Sequence, residues 1–79
     1  MFINKTKDGR NNLCGENIAM LRSNLKISQK VLADKLQVCG LDIDKNAIQR
    51  IEAGKRFVTD IELKFISEFF EISMDELVK

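Results

Sequence analysis

The sequence contains no histidine, proline, tryptophan or tyrosine, and it has only two cysteines. Without histidine, the common zinc-ligand spacings are missing, and so is every catalytic arrangement that uses an imidazole base. There is also no glycine-rich phosphate loop and no carboxylate pair in an evident pocket. We therefore expect neither an enzyme nor a protein that holds a metal ion or another cofactor. Cys14 and Cys39 are expected to be reduced thiols.

Long apolar runs are absent as well. No stretch approaches the roughly 18 residues that a membrane span needs, and residues 1–5 lack the apolar centre of a signal peptide. The chain is therefore expected to be cytoplasmic and to have no membrane partner. Its 79 residues suffice for one small domain, and abundant leucine, isoleucine, lysine and glutamate without proline favour helices.

The net charge of +1 hides an uneven distribution of charged residues. Up to and including Arg56 there are eleven basic and six acidic residues, and after it two and six, so the two parts carry +5 and −4. A basic region of this kind suits a polyanion, and the acidic part would then face away from it. Charge blocks are in general more often solvated surface than binding sites. The charge pattern alone therefore leaves both interpretations open.

Local patterns divide the chain into an N-terminal arm, residues 1–14, and a helical domain, residues 15–79. Residues 4–12 are polar and turn-forming, so we expect them to be ordered only where something holds them. From residue 15 onward, apolar residues recur three and four positions apart, which is typical of one buried helix face. This spacing predicts a first helix over about 15–24.

Four later helices are predicted from the polar residues that precede them. Side-chain oxygens of serine, threonine and aspartate cap helix N-termini, and residues of this kind before an apolar period are Ser28, Asp44, Thr59 and Ser73. The second helix is expected over about 29–38 and the third over 45–53, where Gly54 stops it. Glu62 and Glu76 follow the last two caps by three positions, so capping boxes open a fourth and a short fifth helix. These signals predict a compact all-α bundle of five helices.

Two apolar stripes run along the predicted fourth helix. The stripe expected to face the core consists of Leu63, Ile66 and Phe70. The second stripe, with the loop before it, consists of Phe57, Val58, Ile61, Phe65 and Phe69. So much exposed aromatic surface is unusual on a soluble monomer. We favour a dimer in which two copies of the second stripe meet, and the alternative is that the arm covers it through Phe2, Ile3 and Leu13.

Four sequence blocks carry a resemblance to a known family. They are Gly15-Glu-Asn-Ile-Ala-Met-Leu-Arg22, Ile27-Ser-Gln-Lys-Val-Leu-Ala-Asp-Lys-Leu36, Ala47-Ile-Gln-Arg-Ile-Glu-Ala-Gly-Lys-Arg56 and Ile72-Ser-Met-Asp-Glu-Leu77. In this order they closely resemble the Cro and phage-repressor family, the XRE-type helix-turn-helix domains. The resemblance implies a lambda-repressor-like fold over residues 15–79.

One departure from the family pattern lies between the second and third helices. About five extra residues separate Leu36 from Ile43, so the tight turn of the motif is replaced by a lengthened connection. The sequence leaves open whether the second helix runs on by a turn and whether the longer connection alters DNA docking.

The resemblance implies that the third helix enters the major groove of DNA. Its outward positions, implied to read bases, are Lys45, Asn46, Gln49 and Arg50. Asparagine and glutamine can pair with adenine, and arginine or lysine with guanine. The alternative is that these residues form only a hydrated polar face.

The same resemblance implies four phosphate contacts. Ser28 and Gln29 lie at a helix N-terminus, whose free amides favour an anion, and Lys55 and Arg56 follow the third helix. For Lys55, complementing the helix dipole is an equally good interpretation. The basic residues of the arm, Lys5, Lys7 and Arg10, are a further option for contacting DNA, but basic arms are common on proteins that never use them so.

Arg22 and Glu52 occupy positions where similar domains place a partly buried ion pair, tying the first helix to the end of the third. Exposed, unlinked charges are the alternative, and they would contribute only ~0–1 kcal/mol to stability. The resemblance thus implies a structural role for the pair.

Together these expectations describe a transcriptional regulator. We expect it to bind double-stranded DNA sequence-specifically, as a repressor that acts as a homodimer on a two-fold operator. The alternative is an antitoxin-like or anti-repressor-like module that keeps the fold and binds a regulatory protein partner through the altered connection.

Overall fold

A computed structural model of the protein describes residues 4–79. All regular secondary structure in this range is helical. The five helices are α1 (Gly15–Asn24), α2 (Gln29–Val38), α3 (Lys45–Glu52), α4 (Asp60–Phe70) and α5 (Met74–Leu77). The predicted all-α, five-helix architecture is confirmed. The third helix is one residue shorter than expected, because Ala53 lies outside it as its C-cap.

Local hydrogen bonds begin and end these helices. The Ser28 hydroxyl accepts a hydrogen bond from the Val31 amide at 3.1 Å, and the Asp44 carboxylate accepts one from the Ala47 amide at 2.8 Å. Thr59 forms the complete capping box expected at the start of α4. At the start of α5 only half of the expected box forms, because the Ser73 hydroxyl accepts the Glu76 amide while the Glu76 carboxylate binds Lys79. Gly54 adopts a left-handed conformation, with φ of 79°, directly after the α3 cap. Hydrogen bonds between residues a few positions apart therefore set most helix boundaries.

The core is formed by side chains from all five helices. Its large, fully buried aliphatic side chains are Ile18, Leu32, Leu36, Ile48, Ile51, Ile66 and Leu77. Ala33 is also buried, and its small side chain suits the close packing of α2 on α3. The α3 helix is thereby held along the face that carries Ile48 and Ile51.

The connection between α2 and α3 is long but packed. The α2 helix ends at Val38, and Gly40 then turns the chain with φ of 106°. Leu41 and Ile43 are buried in the core, and the Gln37 side-chain amide donates to the Ile43 carbonyl at 2.7 Å. The connection is therefore anchored to the core by Leu41 and Ile43 while its other residues stay exposed, and α2 does not extend beyond Val38.

The α4 helix buries a wider arc than the sequence predicted. Ile66 is fully buried as expected, but Glu62 and Ser67 are buried beside it. Phe65 and Phe69, expected in an exposed stripe, are half-buried and pack against the core together with Leu63 and Phe70. The second stripe was expected to lie outside the core, and this expectation is wrong for Val58, Phe65 and Phe69, which all pack against it. The α2 and α5 helices both pack against α4.

The arm is ordered over its described residues. Thr6 and Arg10 close a tight turn, in which the Thr6 amide donates to the Arg10 carbonyl at 2.9 Å. Leu13 stays 62% exposed. Phe2 and Ile3, the other two residues expected to cover the apolar stripe, lie outside the described residues.

The two cysteines are free thiols in different settings. Cys14 is buried at the start of α1, and burial raises the pKa of its thiol to about 11. Cys39 is exposed at the end of α2. None of the helices in residues 4–79 combines the length and the apolar character needed to cross a membrane.

Candidate nucleic-acid interface

The outer face of α3 carries the predicted base-reading residues. Lys45, Asn46, Gln49 and Arg50 are all exposed, whereas Ile48 and Ile51 on the opposite face are buried. Asn46, Gln49 and Arg50 line one surface depression together with Ala53 and Lys55. Lys45 lies apart from that depression, at the first turn of the helix. Amide and guanidinium donors thus share one exposed, concave surface on a firmly packed helix.

Arg22 and Glu52 form a bidentate ion pair beneath this surface. The Arg22 Nε lies 2.7 Å from Glu52 Oε2, and Nη2 lies 3.0 Å from Oε1. The Arg22 Nη1 also donates to the Ile27 carbonyl at 2.9 Å. Hydrogen bonding to the Glu52 carboxylate raises the pKa of Arg22, so the guanidinium stays charged. The pair ties α1 and the α1–α2 turn to the end of α3.

Ser28 and Gln29 lie at the N-terminus of α2, where the sequence places an anion site. The Ser28 hydroxyl is used as the helix cap. The Gln29 side chain donates through Nε2 to Glu52 Oε1 at 2.9 Å, so it extends the Arg22–Glu52 pair. The Gln29 amide nitrogen is therefore engaged inside the protein, and an anion here would be met first by the backbone amides of the helix.

Lys55 and Arg56 follow α3 but differ in their surroundings. The Lys55 side chain is exposed at the edge of the α3 depression. The Arg56 guanidinium instead binds both carboxylate oxygens of Glu62, each at 2.9 Å. Hydrogen bonding from Arg56 lowers the pKa of Glu62. A phosphate contact by Arg56 would have to share or displace this partner.

Sequence reasoning missed two features of the site. The Glu62 capping box was predicted, but Glu62 as the partner of Arg56 was not, since a spacing of six residues in a loop gives no periodic signal. The residues Arg10, Asn11 and Asn12 were interpreted as turn-forming, whereas they contact the end of α3. No local pattern distinguishes an asparagine that makes a turn from one that binds a distant carbonyl.

The exposed remainder of the apolar stripe lies next to the arm. Phe57 is 60% exposed and Ile61 is 65% exposed. A groove is lined by the side chains of Asn11, Asn12, Leu13, Cys14, Phe57, Val58, Leu63 and Val78. The arm and the α3–α4 loop therefore form one continuous, partly apolar surface.

A packed helix pair whose second helix presents an exposed polar face beside a basic turn is the arrangement found in helix-turn-helix domains. A sequence model of the family described as helix-turn-helix matches residues 18–77, and the chain belongs to this family. The resemblance to XRE-type domains is thereby confirmed.

Comparison with known proteins gives one further finding. The chain is similar to the HTH-type transcriptional activator BcrR of Enterococcus faecalis, with 35% identity over 63 residues. The match covers 80% of this chain and 28% of that protein, so the chain spans little more than a quarter of its relative. No solved structure matches the chain.

Proposed function

We propose that the chain is a sequence-specific DNA-binding transcriptional regulator that places α3 in the major groove. The observation that carries the proposal is the exposed group of Asn46, Gln49 and Arg50, which shares a depression with Lys55. The opposite face of α3 is buried, and the Arg22–Glu52 pair holds its end, so these side chains project from a rigid support. Membership of the helix-turn-helix family and similarity to a protein named as a transcriptional activator support the same proposal.

Within this proposal, the polar residues divide into two roles. Asn46, Gln49 and Arg50 read base edges, with Lys45 at the entry of the helix into the groove. The α2 N-terminus, at Ser28 and Gln29, and the Lys55 ammonium hold phosphates on either side. Arg56 supports the Lys55 turn through its pair with Glu62 and does not itself act as a free phosphate ligand.

The regulator acts as a homodimer on a two-fold operator. A single α3 reads few base pairs, and two half-sites about 34 Å apart are the common way to reach useful affinity. Phe57 and Ile61 are the exposed apolar side chains available for the contact, and Leu13 lines the same groove as Phe57. Val58 is half-buried against the core and adds only the part that stays uncovered. Phe65 and Phe69 contribute only the parts of their rings that the core leaves uncovered.

Repression is the proposed direction of control, since a domain that occupies promoter DNA excludes other proteins from it. The Enterococcus relative is named an activator, and its match covers 28% of that protein. Repression and activation are distinguished with a reporter gene. The DNA sequence that the protein binds is placed either over the promoter or upstream of it. Lower expression only from the overlapping site supports repression, and higher expression from the upstream site contradicts it.

The test of DNA binding is selection of bound sequences from a random oligonucleotide pool, followed by a salt titration on the selected duplex. Phosphate neutralisation predicts a linear fall of log affinity with log salt, with slope about −0.9 per phosphate contacted. A scrambled duplex of equal length is the control. Failure to retain any duplex at low salt contradicts the proposal.

The second candidate function is a module that binds a regulatory protein partner. The observation that favours it is the inward engagement of Gln29 and Arg56, which removes two side-chain phosphate contacts, together with the altered α2–α3 connection. Such a module would show no salt-dependent retention of DNA. The same titration therefore separates the two functions.

A further inference from the structure

Three consecutive residues of the arm, Arg10, Asn11 and Asn12, lie against the carboxyl end of α3 and the turn after it. Their hydrogen bonds reach five backbone carbonyls, those of Ile51, Glu52, Gly54, Lys55 and Arg56. Arg10 Nη2 donates to one at 2.8 Å, and the Asn11 backbone amide donates to another at 2.7 Å. We call these three residues the arm clasp.

The arm clasp meets a requirement that every helix has at its end. The last carbonyls of a helix lack partners within the helix, and they carry the negative end of its dipole. The charged Arg10 guanidinium at this end satisfies both conditions. Asn12 is only 8% exposed, and its amide nitrogen donates to the carbonyls of Ile51 and Arg56 while its oxygen accepts from the Gly15 amide.

Two glycines make room for the arm clasp. A Cβ at Gly54 would lie 2.7 Å from the Arg10 guanidinium carbon, and a Cβ at Gly15 would lie 2.8 Å from the Asn12 side-chain oxygen. The arm clasp lies before residue 18, where the match to the helix-turn-helix family begins.

We infer that the arm clasp positions the DNA-binding surface, with Asn11 fixing the Lys55 turn so that the Lys55 ammonium meets a phosphate. The inference rests on the proposed function. Asn11 Nδ2 donates to the Lys55 carbonyl at 3.0 Å, while the Lys55 side chain stays exposed. The Asn11 Oδ1 is buried without a hydrogen-bond partner. The bond from Nδ2 to the Lys55 carbonyl is therefore the hydrogen bond that the Asn11 side chain makes.

A direct DNA contact by Arg10 is the competing role. Its guanidinium already donates to the Glu52 carbonyl and lies 3.5 Å from the Glu16 carboxylate. These contacts hold the positive charge between the end of α3 and the start of α1, which favours the positioning role.

The experiment compares Asn11→Ala, Lys55→Ala and the double variant on the selected duplex and on a scrambled one. Asn11→Ala keeps the backbone bond to the Gly54 carbonyl and loses only the side-chain bond to Lys55. We expect it to weaken binding to both duplexes about threefold to tenfold, the range for one lost neutral hydrogen bond. The double variant should bind no more weakly than Lys55→Ala alone, because Asn11 acts through Lys55.

The matched control is Asn17→Ala. Asn17 also donates to backbone carbonyls, those of Leu77 at 2.7 Å and Lys79 at 3.2 Å, but it holds the C-terminal helix. Its loss should lower thermal stability and leave DNA affinity unchanged. Equal loss of affinity in Asn17→Ala and Asn11→Ala would overturn the inference, and so would additive losses in the double variant.

Hydrogen exchange on the free protein tests the arm clasp without DNA. The Lys55 amide donates to the Arg50 carbonyl at 2.9 Å, and its exchange should accelerate in Asn11→Ala but not in Asn17→Ala. Unchanged exchange contradicts the arm clasp whether or not the protein binds DNA. Wild-type protein that retains no duplex contradicts the proposed function instead, whereas wild-type and Asn11→Ala proteins that bind equally well contradict the inference alone.

Discussion

The Arg22 guanidinium binds both carboxylate oxygens of Glu52, joining α1 to the last residue of α3. The two side chains are 18% and 8% exposed, so little water competes for the contact. Glu52 also accepts the Gln29 amide, and its backbone carbonyl accepts Arg10. One residue at the end of the proposed recognition helix therefore anchors α1, α2 and the arm.

The first prediction concerns this pair. Arg22→Ala leaves the Glu52 carboxylate buried without its cation, and we expect it to lower the free energy of unfolding by ~3–5 kcal/mol. Replacing both residues by apolar ones, Arg22→Met with Glu52→Leu, should cost less. Urea unfolding of the two single variants and the double variant gives the coupling energy, and a coupling energy near zero would contradict a structural role.

The second prediction concerns Gly15. Alanine is favoured over glycine inside helices, yet a Cβ at this position would run into the Ile51 carbonyl and the Asn12 amide oxygen. Gly15→Ala should therefore destabilise the protein, by about 1–3 kcal/mol for an overpacked site. Gly9→Ala is the comparison, because a Cβ there would meet nothing within 4 Å and the alanine would be strained only by the positive φ. A higher melting temperature for Gly15→Ala would show that the close approach is absent.

The third prediction is a pH dependence. The hydrogen bond from Arg56 holds the pKa of Glu62 below its ordinary value of 4.5. A carboxyl with a depressed pKa in the folded state contributes stability above its unfolded pKa, and this contribution is lost as pH falls through the folded pKa. The stability of the wild-type protein should thus decrease as the pH drops below about 4.5. Glu62→Gln should be less stable at neutral pH, and its stability should depend less on pH in the acid range.

Glu68→Gln is the control for that experiment, since Glu68 is an exposed carboxyl on the same helix. Thermal melts from neutral to acidic pH provide the comparison. Identical acid limbs for wild-type protein and Glu62→Gln would mean that the Arg56–Glu62 pair does not contribute.

The fourth prediction separates base reading from phosphate binding. Arg50→Ala should relax sequence preference, because the guanidinium is proposed to bind a base edge. Lys55→Ala should weaken all duplexes alike and reduce the salt slope by about one unit. Binding to selected and scrambled duplexes at several salt concentrations measures both effects, and equal losses on both duplexes for both variants would contradict the division of roles.

The fifth prediction concerns the proposed dimer. Ile61→Glu places a charge on the exposed part of the stripe and should give a folded monomer with sharply reduced operator affinity. Phe65→Glu is less informative, because Phe65 packs against the core and its loss would also destabilise the fold. Val38→Glu, at an exposed apolar residue of α2, is the control. Sedimentation over a concentration series that shows only wild-type monomer would exclude this dimer.

The helix boundaries were predictable from the sequence because their causes are local. Ser28, Asp44, Thr59 and Ser73 each accept a hydrogen bond from an amide three positions later, so the signal and its partner lie within one turn. The exposed face of α3 was predictable for a similar reason. Ile48 and Ile51 are three positions apart and mark the buried face of the helix, so the polar residues between and around them lie on the opposite face.

Other features depended on contacts that no local pattern specifies. Arg10 reaches a carbonyl 42 positions away, and Asn11 reaches one 44 positions away. Arg56 was predicted to be a phosphate ligand, but in the folded chain its guanidinium binds the Glu62 carboxylate. Phe65 lies within 4 Å of where a Gly40 Cβ would be, which depends on the path of the α2–α3 connection.

The sequence by itself determined the five helices, the N-terminal side-chain caps of α2 to α5 and the polar face of α3, since each arises from side chains within a few positions of one another. Only the tertiary structure decided which cations stay available to a phosphate and how much of the aromatic stripe remains exposed. The physical reason is that burial and ion pairing depend on neighbours brought close by packing. The structure accordingly leaves Lys55 exposed, engages Arg10 and Arg56 with partners of their own, and keeps Phe57 and Ile61 on the surface.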